Sequence, residues 1–170
     1  MSVATAAKTV KKHTLKGAAK KEAFHREAES HRQPFKFAAP AQAKDDRLNY
    51  YLAGSDILKG AVQVMSKGGG DLDLHYHPGG DGFWMVLQGR VRFYGPDGVI
   101  GEYGPHEGIL MPRNARYWLE ATDPSQDLHL LHVTASIQRK VGKSRINADA
   151  KRPDYAKSIR IGYPEGGKGE

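Results

Sequence analysis

The chain has 170 residues, no cysteine and a formal net charge of +7. That length suits one domain with a full core. Disulfides, thiolate metal ligands and a cysteine nucleophile are all excluded. No apolar run is long enough to span a bilayer, and the lysines near the N-terminus precede no apolar block, so the expectation is a cytoplasmic protein without a membrane segment. The charge is unevenly spread: residues 1–44 carry a net +7, residues 45–135 carry −5 and residues 136–170 carry +5. Basic ends can hold an anionic polymer, but these lack interleaved aromatics or a base-reading motif, and nucleic acid is not the expected partner.

In chain order, residues 1–44 read as a basic arm. Thr14 to His31 is rich in Ala, Lys and Glu, with Glu22 and Arg26 at i,i+4, which predicts a short helix. Its apolar stripe (Ala18, Ala19, Ala23, Phe24, Ala28) is thin and calls for something to dock on. Pro34 and Pro40 end regular structure. Phe35 and Phe37 predict an extended segment lying on a surface, and an arm of this kind can cross to a second subunit, giving a homodimer through the arm or a barrel face.

From residue 47 the hydrophobic period becomes two. Strands are predicted at 47–52, 60–66, 83–87, 90–94, 99–103, 108–112, 117–121 and 127–134, together with a short one ending in His75-Tyr76-His77. Gly54-Ser55-Asp56 and Gly95-Pro96-Asp97-Gly98 are turns with a mechanism, the second through proline's fixed φ and glycine's freedom. Many short strands spaced by Gly and Pro predict an antiparallel sandwich or barrel over residues 45–136. From residue 137 the pattern fades into a basic extension, with a flexible tail expected over 163–170.

The stretch from Gly68 to Gly89 carries the chemistry. On an extended strand, residues i and i+2 share a face about 7 Å apart. His75 and His77 can therefore aim two imidazoles at one point, as a metal ion requires. His129 and His132 lie three apart on the last strand, so at most one faces inward, where it could add a third imidazole. Asp81 could reach inward only through a bulge or turn. Tyr117 could ligate, or act as an acid–base group through its hydroxyl. Trp84, Met65, Val86 and Leu119 are expected to wall the pocket, with Arg116 available to meet a carboxylate.

Residues 68–89 resemble the first motif of the cupin family: a glycine, then His75-x-His77, then the Met85-Val86-Leu87-Gln88-Gly89 ending. Residues 106–121 resemble a degraded second motif, with Glu107 at its usual Asp and Pro112 at its proline. The resemblance implies an all-β jelly-roll, the double-stranded β-helix, with an N-terminal, partly helical arm and a pocket at one mouth. In metal-binding cupins two histidines, a Glu and a later His are ligands; Gly82 stands at the Glu position here and Tyr117 at the later His. The resemblance implies a divalent metal ion, Fe²⁺ first and Zn²⁺, Ni²⁺, Mn²⁺ or Cu²⁺ as alternatives. The activity implied is a dioxygenase-like oxygenase, or a metal-assisted isomerase or lyase, acting on a small, anionic molecule. The alternative is a non-catalytic cupin that binds a small molecule without metal.

Overall fold

The computed structural model describes residues 17–40, 47–136, 145–148 and 159–161. The chain divides into residues 1–33 and residues 34–170. In the first unit, α1 (Ala18–Ser30) buries none of its residues and is laced by Arg26–Glu22 at 2.7 Å and by Arg32–Glu29 at 3.2 Å. Exposed pairs of this kind contribute little. The start of the expected helix, residues 14–16, lies outside the described residues.

The second unit is built of strands. They are β1 (Arg47–Gly54), β2 (Leu58–Met65), β3 (Gly70–Tyr76), β4 (Gly80–Gln88), β5 (Val91–Gly95), β6 (Gly98–Tyr103), β7 (Gly108–Met111), β8 (Tyr117–Ala121) and β9 (Leu128–Ser136), followed by the short β10 (Ile146–Asn147) and β11 (Ile159–Ile161). Two sheets result, one ordered β11-β1-β2-β9-β4-β7 and the other β10-β3-β8-β5-β6. All pairings are antiparallel except β1 with β11.

The turns behave as their residues dictate. Ser55 Oγ accepts from the backbone N–H groups of Ile57 and Leu58, at 3.3 and 3.2 Å, and so closes the β1–β2 turn. Gly89, at the end of β4, has φ +78°, and a Cβ there would sit 2.9 Å from the Asp127 carbonyl oxygen. Only glycine serves at such a position without strain.

Strand alternation then decides what is inside. Met65, Trp84, Val86, Val91, Phe93, Tyr117, Leu119, Leu128 and Leu130 face one another between the sheets and form the main core. The opposite face of the larger sheet has its own cluster, Leu48, Val62 and Val64, covered by Phe37 and Tyr50. Phe37 is the half of the Phe35/Phe37 pair that packs; Phe35 is exposed. The barrel does not end at residue 136: β10 adds to the edge of β3 and β11 adds beside β1. The expected tail at 163–170 lies outside the described residues.

Candidate functional site in the barrel interior

His75 is the centre of a polar cluster. It sits on β3 opposite Tyr117 on β8 and is almost wholly buried. Between Asp71 and His75 the β3–β8 register shifts, so β3 bulges and crowds its polar side chains together. The His75 and His77 rings lie 5.2 Å apart, nearly perpendicular, and the His75 and Tyr117 rings 4.5 Å apart. The two imidazoles are thus neighbours set edge to face.

The His75 Nδ1 atom lies 2.7 Å from the Asp73 carbonyl oxygen. A carbonyl only accepts, so Nδ1 carries the proton and Nε2 keeps its lone pair. Nε2 lies 3.9 Å from Asp71 Oδ2. Burial pushes the His75 pKa down to about 4 against the pull of Asp71, so the ring is neutral near pH 7. Asp71 is held by two guanidinium groups: Arg47 Nη1 donates to Oδ2, and Arg145 forks across both oxygens at 2.8 and 2.9 Å. Burial alone would raise its pKa, but Arg47, His75 and Arg145 together hold it below the usual value. Burial, reinforced by the Asp71 carboxylate, pushes Tyr117 above the ordinary phenol range. Its hydroxyl therefore stays protonated and can donate.

The larger sheet supplies the facing wall. Trp84 and His132 are cross-strand partners, stacked with ring centroids 3.6 Å apart and planes 4° from parallel. His132 Nε2 lies 3.0 Å from Thr134 Oγ1, and burial, then His77 and Lys59, push its pKa down to about 3. Of the two candidate histidines, His132 is thus the inward one. His129 faces the other way, against Phe37, with ring centroids 5.7 Å apart; odd and even positions of a strand cannot share a face.

Other candidates fall outside the site for the same reason. Asp81, adjacent to the inward Gly82, points away, and its Oδ1 accepts from the Arg113 backbone N–H at 2.9 Å. Arg116, adjacent to the inward Tyr117, is exposed. Met65, Val86 and Leu119 are inward but fully buried in the core, where they form the floor beneath the polar cluster.

Three polar atoms of these residues are left over: Trp84 Nε1, Gln63 Oε1 and Arg47 Nε are buried without a hydrogen-bond partner. Sequence reasoning missed Arg47, Gln63, Asp71 and Arg145. Asp71 and Asp73 were legible in principle, because Asp71-x-Asp73-x-His75 places three polar residues on alternate positions of a strand. Arg145 carried no such signal.

The titrations set a pH dependence. His75 and His132 are neutral in the fold but bind protons near pH 6.5 once unfolded, so their contribution is complete above about pH 6.5 and is lost as pH falls toward 4. Each ring contributes up to about 1.4 kcal/mol per pH unit, so stability is expected to drop by about 2–3 kcal/mol per pH unit between about pH 6 and 4. Urea unfolding at pH 7, 6, 5 and 4 measures it, and a flat profile would contradict the burial of these rings.

No protein-family model and no curated protein matches the sequence. Solved structures do match its shape. A cupin family protein from Methanocaldococcus jannaschii is 14% identical with a TM-score of 0.52, over 62% of this chain and 91% of that one. An uncharacterized conserved protein with a double-stranded β-helix domain from Klebsiella pneumoniae is also 14% identical, with a TM-score of 0.51 over 68% and 92% of the chains. A cupin superfamily protein from Desulfitobacterium hafniense is 18% identical, with a TM-score of 0.50 over 62% and 98%. Likeness at these identities speaks for architecture, and it agrees with the strand order above: the chain has the double-stranded β-helix fold of the cupin superfamily.

Proposed function

We propose that the protein is a small-molecule-binding cupin whose interior receives a polar guest without a resident metal ion. The observation that carries this reading is the set of buried polar atoms without a hydrogen-bond partner in the interior, Trp84 Nε1, Gln63 Oε1 and Arg47 Nε. Each buried unpaired donor or acceptor costs about 1–3 kcal/mol, so a guest that satisfies any of them gains affinity from a group already in place.

The donor set fits a metal poorly. A firmly held divalent ion needs three or more donors converging on one point. Among the described residues no group of three or more His, Asp or Glu is placed to hold one. Asp71, the carboxylate beside His75, has both oxygens engaged by arginines, and the Glu position of the motif is Gly82.

A second reading has its own support. His75 has an unprotonated Nε2, and Tyr117 has a protonated hydroxyl next to it. Such a pair could exchange a proton with a bound molecule, which would make the protein an acid–base isomerase or lyase.

The binding reading is tested on protein purified without chelator. Less than about 0.1 metal ion per chain is expected, with no rise in melting temperature on adding Fe²⁺, Zn²⁺, Ni²⁺, Mn²⁺ or Cu²⁺, since a ligand of the native state must stabilise it. Near one ion per chain, lost in His75→Ala/His77→Ala, would replace this reading with a metal-dependent one.

A further inference from the structure

The edge of the smaller sheet carries a second polar place. Asn147 of β10 pairs with His75 of β3, and Ile146 with Tyr76, while the Ala148 N–H donates to the Leu74 carbonyl oxygen at 2.8 Å. A cleft of about 560 Å³ opens along this seam, and Asp73, Arg145, Ile146 and Asn147 line it. That volume lies in the range of small-molecule sites, roughly 300–1,000 Å³. Neither Trp84 nor Gln63 lines the cleft, so it is separate from those interior atoms and does not rest on the guest reading.

Three lining side chains have hydrogen-bonding capacity to spare. Asp73 Oδ2 stands 3.7 Å from Arg145 Nη2, which is beyond hydrogen-bond reach, so both carboxylate oxygens can still accept. Arg145 uses Nε on Asn147 Oδ1 at 3.0 Å, and Nη1 and Nη2 on Asp71 at 2.8 and 2.9 Å. One N–H on each Nη remains. Asn147 accepts through Oδ1 and keeps both amide N–H donors. The Asp73 and Arg145 side chains are 24% and 27% exposed, open enough to meet a ligand and still held in place.

The charges decide the class of that ligand. Asp71 and Asp73 face Arg47 and Arg145, two charges of each sign. An anion would be opposed by Asp73, and it would find the Arg145 fork already engaged by Asp71. An ammonium group would be opposed by Arg145. A hydroxyl both donates and accepts, so neighbouring hydroxyls meet the acceptors of Asp73 and the donors of Arg145 and Asn147 without adding charge. Ile146 gives the C–H face of such a molecule an apolar wall.

We propose that the cleft between β3 and β10 binds a neutral molecule with neighbouring hydroxyl groups, a sugar or a sugar alcohol. Asp73 accepts from one hydroxyl, and Arg145 and Asn147 donate to the next.

The test is an NMR titration of the ¹⁵N-labelled full chain, read at the side-chain amide pair of Asn147, which Asn147→Asp assigns by removing it. The probes are glucose, galactose, ribose and mannitol. Tetrahydropyran, acetate and methylammonium are the controls without hydroxyls. At least one polyol is expected to move the Asn147 pair saturably with a Kd of about 1 mM, since each group exchanges a bond to water for a bond to the ligand. Asp73→Asn keeps the size of the side chain and leaves the Asp73 carbonyl in place for His75. It should weaken binding about tenfold, the size of one hydrogen bond to a charged group, with an unchanged circular dichroism spectrum.

Equal binding of acetate or methylammonium would overturn the hydroxyl assignment, and so would an unmoved Asn147 pair with all four polyols. Movement of the Trp84 indole signal in place of the Asn147 pair would put the ligand in the interior and overturn the cleft. Unchanged affinity in Asp73→Asn would do the same. The metal content of the protein, which decides the guest reading, leaves this one untouched.

Discussion

Phe93→Ala is expected to lose about 3–5 kcal/mol of stability, the range for truncating a fully buried aromatic ring. Phe93 has no measurable exposure and touches three other rings, Trp84, Tyr103 and Tyr117, at centroid distances of 5.9, 6.0 and 6.1 Å. The loss has two parts: the apolar area returned to water, and the contacts its neighbours forfeit around the hole. Two of those neighbours are the indole and the phenol of the candidate site, so the variant should also loosen the pocket. Urea unfolding would show a lower midpoint with an unchanged slope. A loss below about 1 kcal/mol would mean that the interior collapses to fill the gap, and that the two rings are not held by packing.

Asp71→Asn should be the most costly change among the polar groups, at about 2–4 kcal/mol. The amide keeps the size of the side chain but removes the charge, so Arg47 loses its carboxylate partner and Arg145 keeps only the longer contact to Asp73, at 3.7 Å. Breaking a buried pair by removing one partner costs about 3–5 kcal/mol, and the lower figure allows for the Arg145 side chain being 27% exposed. The cluster also ties the segment around β10 to β3. A double-mutant cycle with Arg145→Gln separates the terms, and the two changes should couple by at least about 1 kcal/mol. Additive effects would show that the fork between Arg145 and Asp71 contributes nothing to stability.

Much of the fold is written locally. Alternation and turn residues place nine strands, since most of these strands bury one face and so repeat every second residue. The two- and three-residue strands β10 and β11 are too short to show a period; they are held by edges of sheets formed far away in sequence. The N-terminal stripe of alanines forms its helix but is exposed throughout, because helical propensity needs no burial.

The site was legible to the extent that parity decides it. His75, His77 and Tyr117 can be found from motif and alternation, and His132 can be separated from His129 once one inward residue of β9 is known. Arg116 and Asp81 fail by the same parity, each standing one residue from an inward position. What sequence cannot reveal is which polar atoms lack a partner. That Trp84 leaves its N–H unmatched, and that Asp71 is spoken for by two arginines, depends on residues up to 74 positions apart. Position 82 shows the limit well. As a departure from a motif it reads as a missing ligand, whereas its geometry sets it against the edge of a tryptophan–histidine stack, where a Cβ would stand 3.2 Å from Trp84 Nε1 and from His132 Nε2.

The central claim is that the barrel interior holds a polar guest and no resident ion. A crystal structure of the protein as purified, with anomalous data collected above the iron, nickel, copper and zinc absorption edges, tests it most directly. The account predicts no anomalous peak between His75 and His77, and electron density for a water or organic molecule within about 3 Å of Trp84 Nε1. A strong anomalous peak bonded to both imidazoles, with nothing against the indole N–H, would contradict it.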